Sequence, residues 1–183
     1  MRDSPPHGRV ILALDGHDGG GKTTIARRLA EEIGAAYVRP FGGPGGQKLL
    51  DDAAAGRFGE VSRAGKEMVL AQEAARRDVL VFDRHWMTIF TLVGEEWWRE
   101  WMPIPPTLLC WASLDTTLQR LGARGEDVTH VDEHAHYIDA YAGLAQRFGC
   151  EVIRTDRYSE DESLALALSW AKNVMTAIGA ARA

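Results

Sequence analysis

The sequence predicts an α/β fold of three layers, with a parallel five-stranded sheet between two layers of helices in one domain. Two observations predict it. Short apolar runs alternate along the chain with longer stretches of helical periodicity, the pattern of a parallel sheet wrapped by helices. The first apolar run also leads into a glycine-rich turn and then a helical stretch. That turn, Asp15-Gly16-His17-Asp18-Gly19-Gly20-Gly21-Lys22-Thr23-Thr24, fits the phosphate-binding loop pattern G-x-x-x-x-G-K-[ST].

The elements follow in order. Val10–Leu14 is a five-residue apolar run, read as a buried strand, and Ile25, Leu29, Ala30 and Ile33 give Thr23–Ile33 helical spacing. Further strands are expected at Ala36–Arg39, Val79–Phe82, Leu108–Ala112 and Glu151–Arg154. Further helices are expected at Gln47–Ala54, Ser62–Arg77, Thr116–Ala123, Glu133–Phe148 and Glu160–Ile178. The last begins with a capping box, Ser159 with Glu162 three residues on. Two stretches break the rhythm. Pro40–Gly46 is a glycine-proline loop after the second strand, where parallel sheets bind ligands. Glu95–Met102 carries three tryptophans; Trp97 and Trp101 would share a helical face as core, or as a base-stacking platform. Trp98 would face elsewhere, toward a ligand or a partner chain.

A chain of 183 residues can bury a core without disulfide staples, and 45% apolar with 26% charged residues is ordinary for a globular protein. The formal charge of −5 argues against general electrostatic binding of nucleic acid, though not against a local basic site. Cys110 and Cys150 lie far apart and read as core filler in a reducing compartment. No apolar run is long enough to span a bilayer, and Met1–Arg9 reads as a flexible polar tail with no signal core. A cytoplasmic protein is expected.

The strand, glycine turn and helix bring backbone N–H groups and the positive end of a helix dipole to one point, where polyphosphate can bind. Gly16, Asp18, Gly19, Gly20, Gly21, Lys22, Thr23 and Thr24 form this candidate site for a nucleoside triphosphate. Lys22 adds a mobile charge for the β and γ phosphates, and Thr23 a hydroxyl ligand for Mg²⁺.

The same run resembles the opening of thymidylate kinases, E-G-x-D-G-x-G-K-[ST]-T, including the inner pair Asp18-Gly19. Asp83-Arg84-His85 is similar to the D-R-[YHW] motif of thymidylate kinases and the E-R-S or D-R-S motif of deoxynucleoside kinases. The stretch Leu118–Glu126 resembles the arginine-bearing lid of both groups, and His136–Ala145 the helix that follows it. There are departures. Asp15 replaces the usual Glu, Pro44-Gly45-Gly46 is separated from Arg39, and Ala71–Arg76 stands where F-x-x-D-R is expected.

The resemblance implies a P-loop NTPase fold with a lid at about 120–132, ATP as phosphate donor, Mg²⁺, and a small nucleotide or nucleoside as acceptor. Asp83 would ligate Mg²⁺ with Thr23, while Arg84, Arg120 and Arg124 would meet the charges of the transition state beside Lys22. Arg120 and Arg124, four apart, share a face if the helix runs that far. Arg39 and Arg84 would face the acceptor, with Asp18 on its sugar. Asp18, Asp83 and Glu73 are the alternatives for a base, should the acceptor be a neutral hydroxyl. His130, Asp132, His134 and His136 read as a solvated stretch beside the lid rather than a zinc site. Both groups commonly form homodimers through helices, which here suggests Ser62–Arg77 or the tryptophan segment.

The leading functional expectation is a kinase of a nucleoside monophosphate such as dTMP. The alternatives are a kinase of a nucleoside or modified-base hydroxyl, free or in DNA, and an NTP-hydrolysing regulatory module.

Overall fold

The computed structural model describes residues 9–75 and 79–181. The expected tail, apart from Arg9, and the last two residues of the expected helix Ser62–Arg77 lie outside the described residues.

Five parallel strands form one sheet in the order β2-β3-β1-β4-β5. They are β1 (Ile11–Asp15), β2 (Ala36–Val38), β3 (Leu80–Asp83), β4 (Thr107–Trp111) and β5 (Glu151–Arg154). Alternating side chains feed two separate cores. Leu12 and Leu14 of β1 and Val81 of β3 pack under α1 (Lys22–Ile33) and α7 (Glu160–Ala180), with Leu29, Ala167 and Trp170 from the helices. Ala13, Leu80 and Phe82 point the other way, against α2 (Gly43–Ala54), α3 (Phe58–Ala74), α4 (Trp86–Phe90) and α6 (Val131–Phe148). The three central strands β1, β3 and β4 are buried on both faces, as their unbroken apolar runs require, while the edge strands β2 and β5 are partly exposed.

The chain leaves β1 toward β2 and β3, then crosses back to β4 and β5. Leu14 is therefore paired with Asp83 on one side and Leu108 on the other. That reversal puts the carboxyl end of β1 at the crevice where open α/β sheets bind ligands.

Several elements depart from expectation for local reasons. The segment 43–46 is the first turn of α2, with Pro44 at the helix start where its missing N–H costs nothing. Gly46 lets this turn close onto the loop: a Cβ there would lie 2.1 Å from the carbonyl oxygen of Phe41. Only 39–42 remain irregular between β2 and α2. The tryptophan segment is a 3-10 helix, Glu95–Trp101, so residues three apart share a face. Trp98 therefore turns inward. It stacks on Phe90 at 4.8 Å with Trp101 edge-on to the same ring, and the Arg147 guanidinium covers it. The outward role expected for Trp98 is corrected, and this segment closes one end of the protein's own core.

Helix α5 (Leu114–Ala123) stops at Ala123, and 124–130 is irregular up to α6. Arg124 caps the helix end, so it does not share a helical face with Arg120. Cys110 is buried, Cys150 is partly buried, and neither is in a disulfide. Among the described residues, no helix is long and apolar enough to cross a membrane.

Candidate active site

The glycine-rich loop leaves β1 and winds against the end of β4. At Gly16 the backbone has φ 146°, and a Cβ would lie 2.3 Å from the carbonyl oxygen of Cys110. Only glycine fits there. Gly21, also left-handed, turns the chain into α1, and Lys22 is the first helical residue. A cavity of about 580 Å³ opens before it, lined among others by Asp18, Lys22, Thr23, Thr24, Arg39, Arg84, Arg124 and Glu126.

Lys22 is 4% exposed, and its ammonium donates to the His17 carbonyl at 3.2 Å and to Asp18 at 3.3 Å. Burial and the nearby Arg84 lower its pKa to about 8. Arg84 also pairs with Asp18 and donates to the Tyr141 hydroxyl at 3.4 Å. Burial pushes the Asp18 carboxyl toward neutrality, but Lys22 and Arg84 together hold it well below the usual carboxylate range. Arg84 itself has φ 77°, a left-handed conformation that a non-glycine residue keeps only where its surroundings enforce it. Its N–H bonds to the Leu14 carbonyl at 2.9 Å and fixes it beside the loop.

Asp83 is fully buried at the end of β3. Its Oδ2 accepts from Thr23 at 2.8 Å and from the Tyr37 hydroxyl at 2.7 Å, while Oδ1 has no hydrogen-bond partner among the described residues. A carboxylate with an orphaned oxygen beside a loop hydroxyl is a hard-oxygen donor set, which fits Mg²⁺. Asp15, in place of the usual Glu, is also fully buried. It accepts from the N–H groups of His85 and Met87 and from the Thr88 hydroxyl, so it fixes the start of α4 behind Arg84.

Two candidates lie elsewhere. Arg120 donates to the carbonyls of Gly19 (2.9 Å) and Thr155 (2.7 Å) and to the Thr155 hydroxyl (3.0 Å). It braces the back of the loop and lines a separate cavity of about 380 Å³ with Thr155, Tyr158 and Ser163. Glu73 is near the end of α3, which runs away from the loop. It pairs with Arg9 at 3.6 Å and faces His85 at 4.0 Å across a third cavity, outside the acceptor region. Arg39 does reach the main cavity, half-exposed, with its Nε 3.9 Å from Asp83. Arg124 pairs with Glu126 at 2.8 Å on the cavity rim.

No sequence pattern singles out His17, and His134 reads only as part of the solvated stretch beside the lid. Their rings meet at 2.9 Å although 117 positions separate them, a pairing no local pattern reveals. The expected solvated stretch is thus anchored at His134, and among the described residues no cluster of three or more His, Cys, Asp or Glu is gathered for a metal.

A phosphate loop after the central strand, with a carboxylate at the end of the adjacent strand, is the arrangement of the P-loop fold. No family model matches the chain. It is 31% identical over 152 residues to the thymidylate kinase of Xanthomonas euvesicatoria pv. vesicatoria, covering 68% of this chain and 66% of that protein. It is 32% identical to the thymidylate kinase of Xanthomonas campestris pv. campestris over the same shares. The matches thus span just under two thirds of these relatives. Among solved structures it resembles M. mycoides deoxyadenosine kinase with bound dATP, at TM-score 0.64 and 12% identity over 89% of this chain and 100% of that one. The same enzyme with bound dCTP gives 0.58 over 90% and 100%. The second likeness is one of fold. The chain thus has the three-layer α/β/α fold of the P-loop kinases, and over those 152 residues it is similar to thymidylate kinases.

Proposed function

We propose that the chain transfers the γ-phosphoryl group of ATP, with Mg²⁺, to a nucleoside monophosphate such as dTMP. One observation carries the choice of acceptor: among the described residues, both carboxylates that line the main cavity are ion-paired. Asp18 is paired with Lys22 and Arg84, and Glu126 with Arg124. A hydroxyl acceptor must lose a proton as it attacks, whereas a phosphate oxygen is already anionic. The thymidylate kinase relatives point the same way.

In this reading the loop amides and Lys22 hold the donor phosphates, and the cavity behind the loop, with Arg120, takes the donor's nucleoside end. Thr23 and Asp83 would hold Mg²⁺, which would supply positive charge to offset that of the phosphates. Arg39 binds the acceptor phosphate, and 124–130 is the lid that carries Arg124 to the transferring group. An acceptor phosphate oxygen forms the new bond to the γ-phosphorus as the bond to the β-phosphate oxygen breaks and ADP leaves. Arg84, paired with Asp18 on the cavity wall, would face that path. Arg120 is a positioning residue.

The test is transfer of labelled γ-phosphate from ATP to a panel of nucleoside monophosphates, nucleosides and single-stranded DNA, with Lys22→Ala as control. Label in a nucleoside diphosphate is expected. Label on a nucleoside or DNA hydroxyl, or hydrolysis unchanged by every acceptor, would overturn the proposal in favour of the nucleoside-kinase or regulatory-module reading.

A further inference from the structure

Tyr37 is the middle residue of β2, an edge strand of three residues. It pairs in register with Val81 of β3, two positions before Asp83. Side chains two apart on a strand share a face, so Tyr37 and Asp83 stand together on the side of the sheet that α1 covers. The Tyr37 ring packs against that core, with the guanidinium of Arg27 from α1 lying 5.3 Å over its face. Phenylalanine would fill the same space. The hydroxyl has a separate use, because it donates to Asp83 Oδ2 at 2.7 Å.

The Thr23 hydroxyl donates to the same oxygen at 2.8 Å, and Oδ1 has no hydrogen-bond partner among the described residues. That distribution is lopsided. A carboxylate buried for stability alone gains most when its donors are spread over both oxygens, because a buried oxygen left unmet keeps its desolvation cost. Asp15 shows that alternative in the same molecule. The Thr88 hydroxyl meets its Oδ1, and the N–H groups of His85 and Met87 meet its Oδ2.

At Asp83 one donor alone would leave the carboxylate free to swing about it. Two donors, from α1 and from β2, fix its plane. Both are neutral, so they orient the carboxylate without cancelling its charge, and Arg39 stays half-exposed at 3.9 Å. Groups that stand behind a metal ligand in this way set its direction and basicity.

We propose that Tyr37 is a positioning residue, which holds Asp83 in the orientation in which Asp83 and Thr23 bind Mg²⁺ with the nucleotide. The inference rests on the reading of Thr23 and Asp83 as metal ligands, and is independent of which acceptor is used.

The experiment uses Mn²⁺ as the probe. Its binding to the full chain with ADP, protein in excess over nucleotide, is read from the EPR signal of the free ion. Wild type, Tyr37→Phe, Asp83→Asn and the double variant are compared. ADP affinity without metal is measured alongside, and melting temperatures report that each variant is folded. Tyr37→Phe should weaken Mn²⁺ binding about tenfold and leave the metal-free ADP affinity unchanged. On the Asp83→Asn background it should add less than about twofold, since both substitutions then act through one carboxylate. An unchanged Mn²⁺ affinity would overturn the proposal. So would a full second loss in the double variant, because Tyr37 would then act without Asp83. A matching fall in metal-free ADP affinity would overturn it too, by making the role of Tyr37 structural. If the wild type binds Mn²⁺ with ADP but transfers to no monophosphate, the acceptor reading alone fails, and the variants still decide the role of Tyr37. If it binds ADP and no Mn²⁺, the assignment of the metal ligands falls and the proposal with it.

Discussion

The phosphate loop and the acceptor side of the cavity hold their charges in opposite ways. Lys22, Asp83 and Asp15 are 4%, 0% and 0% exposed, and protein groups hold each in place. The Arg39 and Arg124 side chains are 50% and 52% exposed, each with one carboxylate close by. A site built the first way has its dipoles aligned before the ligand arrives, and no reorganisation is left for the reaction itself. A site built the second way completes itself on binding, as lids do. On the proposed reading, the difference separates a preformed donor half from an acceptor half that waits.

The largest effect should come from the preformed half. Lys22→Met is expected to lower transfer by about 10²–10³-fold or more. It should not lower the melting temperature of the ligand-free protein, since burial and Arg84 already disfavour the charge it removes. Transfer assays paired with thermal melts check both. Asp83→Asn keeps an acceptor for Thr23 and Tyr37 but loses a negative oxygen. A loss of roughly 10²-fold is expected, together with a higher Mg²⁺ requirement in a metal titration. If Arg124→Ala matched Lys22→Met in size, the contrast between the halves would collapse.

A paired substitution sharpens the contrast. Arg120 and Arg124 looked equivalent in sequence, yet one is spent on three protein acceptors and the other pairs only at the rim. Arg120→Ala should destabilise the fold by about 2–3 kcal/mol, because carbonyls of the loop and of Thr155 lose a charged donor. Arg124→Ala should change stability by less than about 0.5 kcal/mol while lowering kcat about tenfold. Denaturant melts and single-turnover transfer separate the two. Equal effects on both readouts would mean that the helix end at Ala123 does not divide their roles.

These two arginines also show where the sequence stops being informative. The strands, α1 and the phosphate loop are legible because each is fixed locally: an apolar run, a glycine forced by the Cys110 carbonyl, a lysine at a set spacing. The first turn of α2 was hidden because Gly43–Gly46 reads as a loop until Pro44 is recognised as a helix start. Trp98 was misplaced because an α-helical period was assumed where the chain adopts a 3-10 period. Glu73 was drawn to the acceptor by its place in the motif order, although the direction of α3 carries it toward Arg9. The His17–His134 pair depends wholly on the packing of α6 against the loop.

That pair gives the smallest expected effect, and one whose sign can be worked out. Burial lowers the His17 pKa to about 4, with His134, Lys22 and Arg84 acting in the same direction and Asp18 against them. Between about 4 and the ordinary 6.5, the unfolded chain binds a proton at His17 that the folded protein refuses. Its contribution to stability is therefore complete above pH 6.5 and is lost as the pH falls toward 4. Asp18 loses its contribution only below its ordinary 3.8, so the two windows are distinct. Asp15, raised by burial from 3.8, acts in the opposite direction over part of the same range. The difference between variants, rather than either curve alone, isolates the histidine. Melting temperatures of wild type and His17→Gln measured from pH 7 to pH 4 should converge as the pH falls, since glutamine has no proton to gain. Parallel curves would mean that the imidazole is free to protonate in the folded protein, and that the loop is not held against α6 in the way its geometry describes.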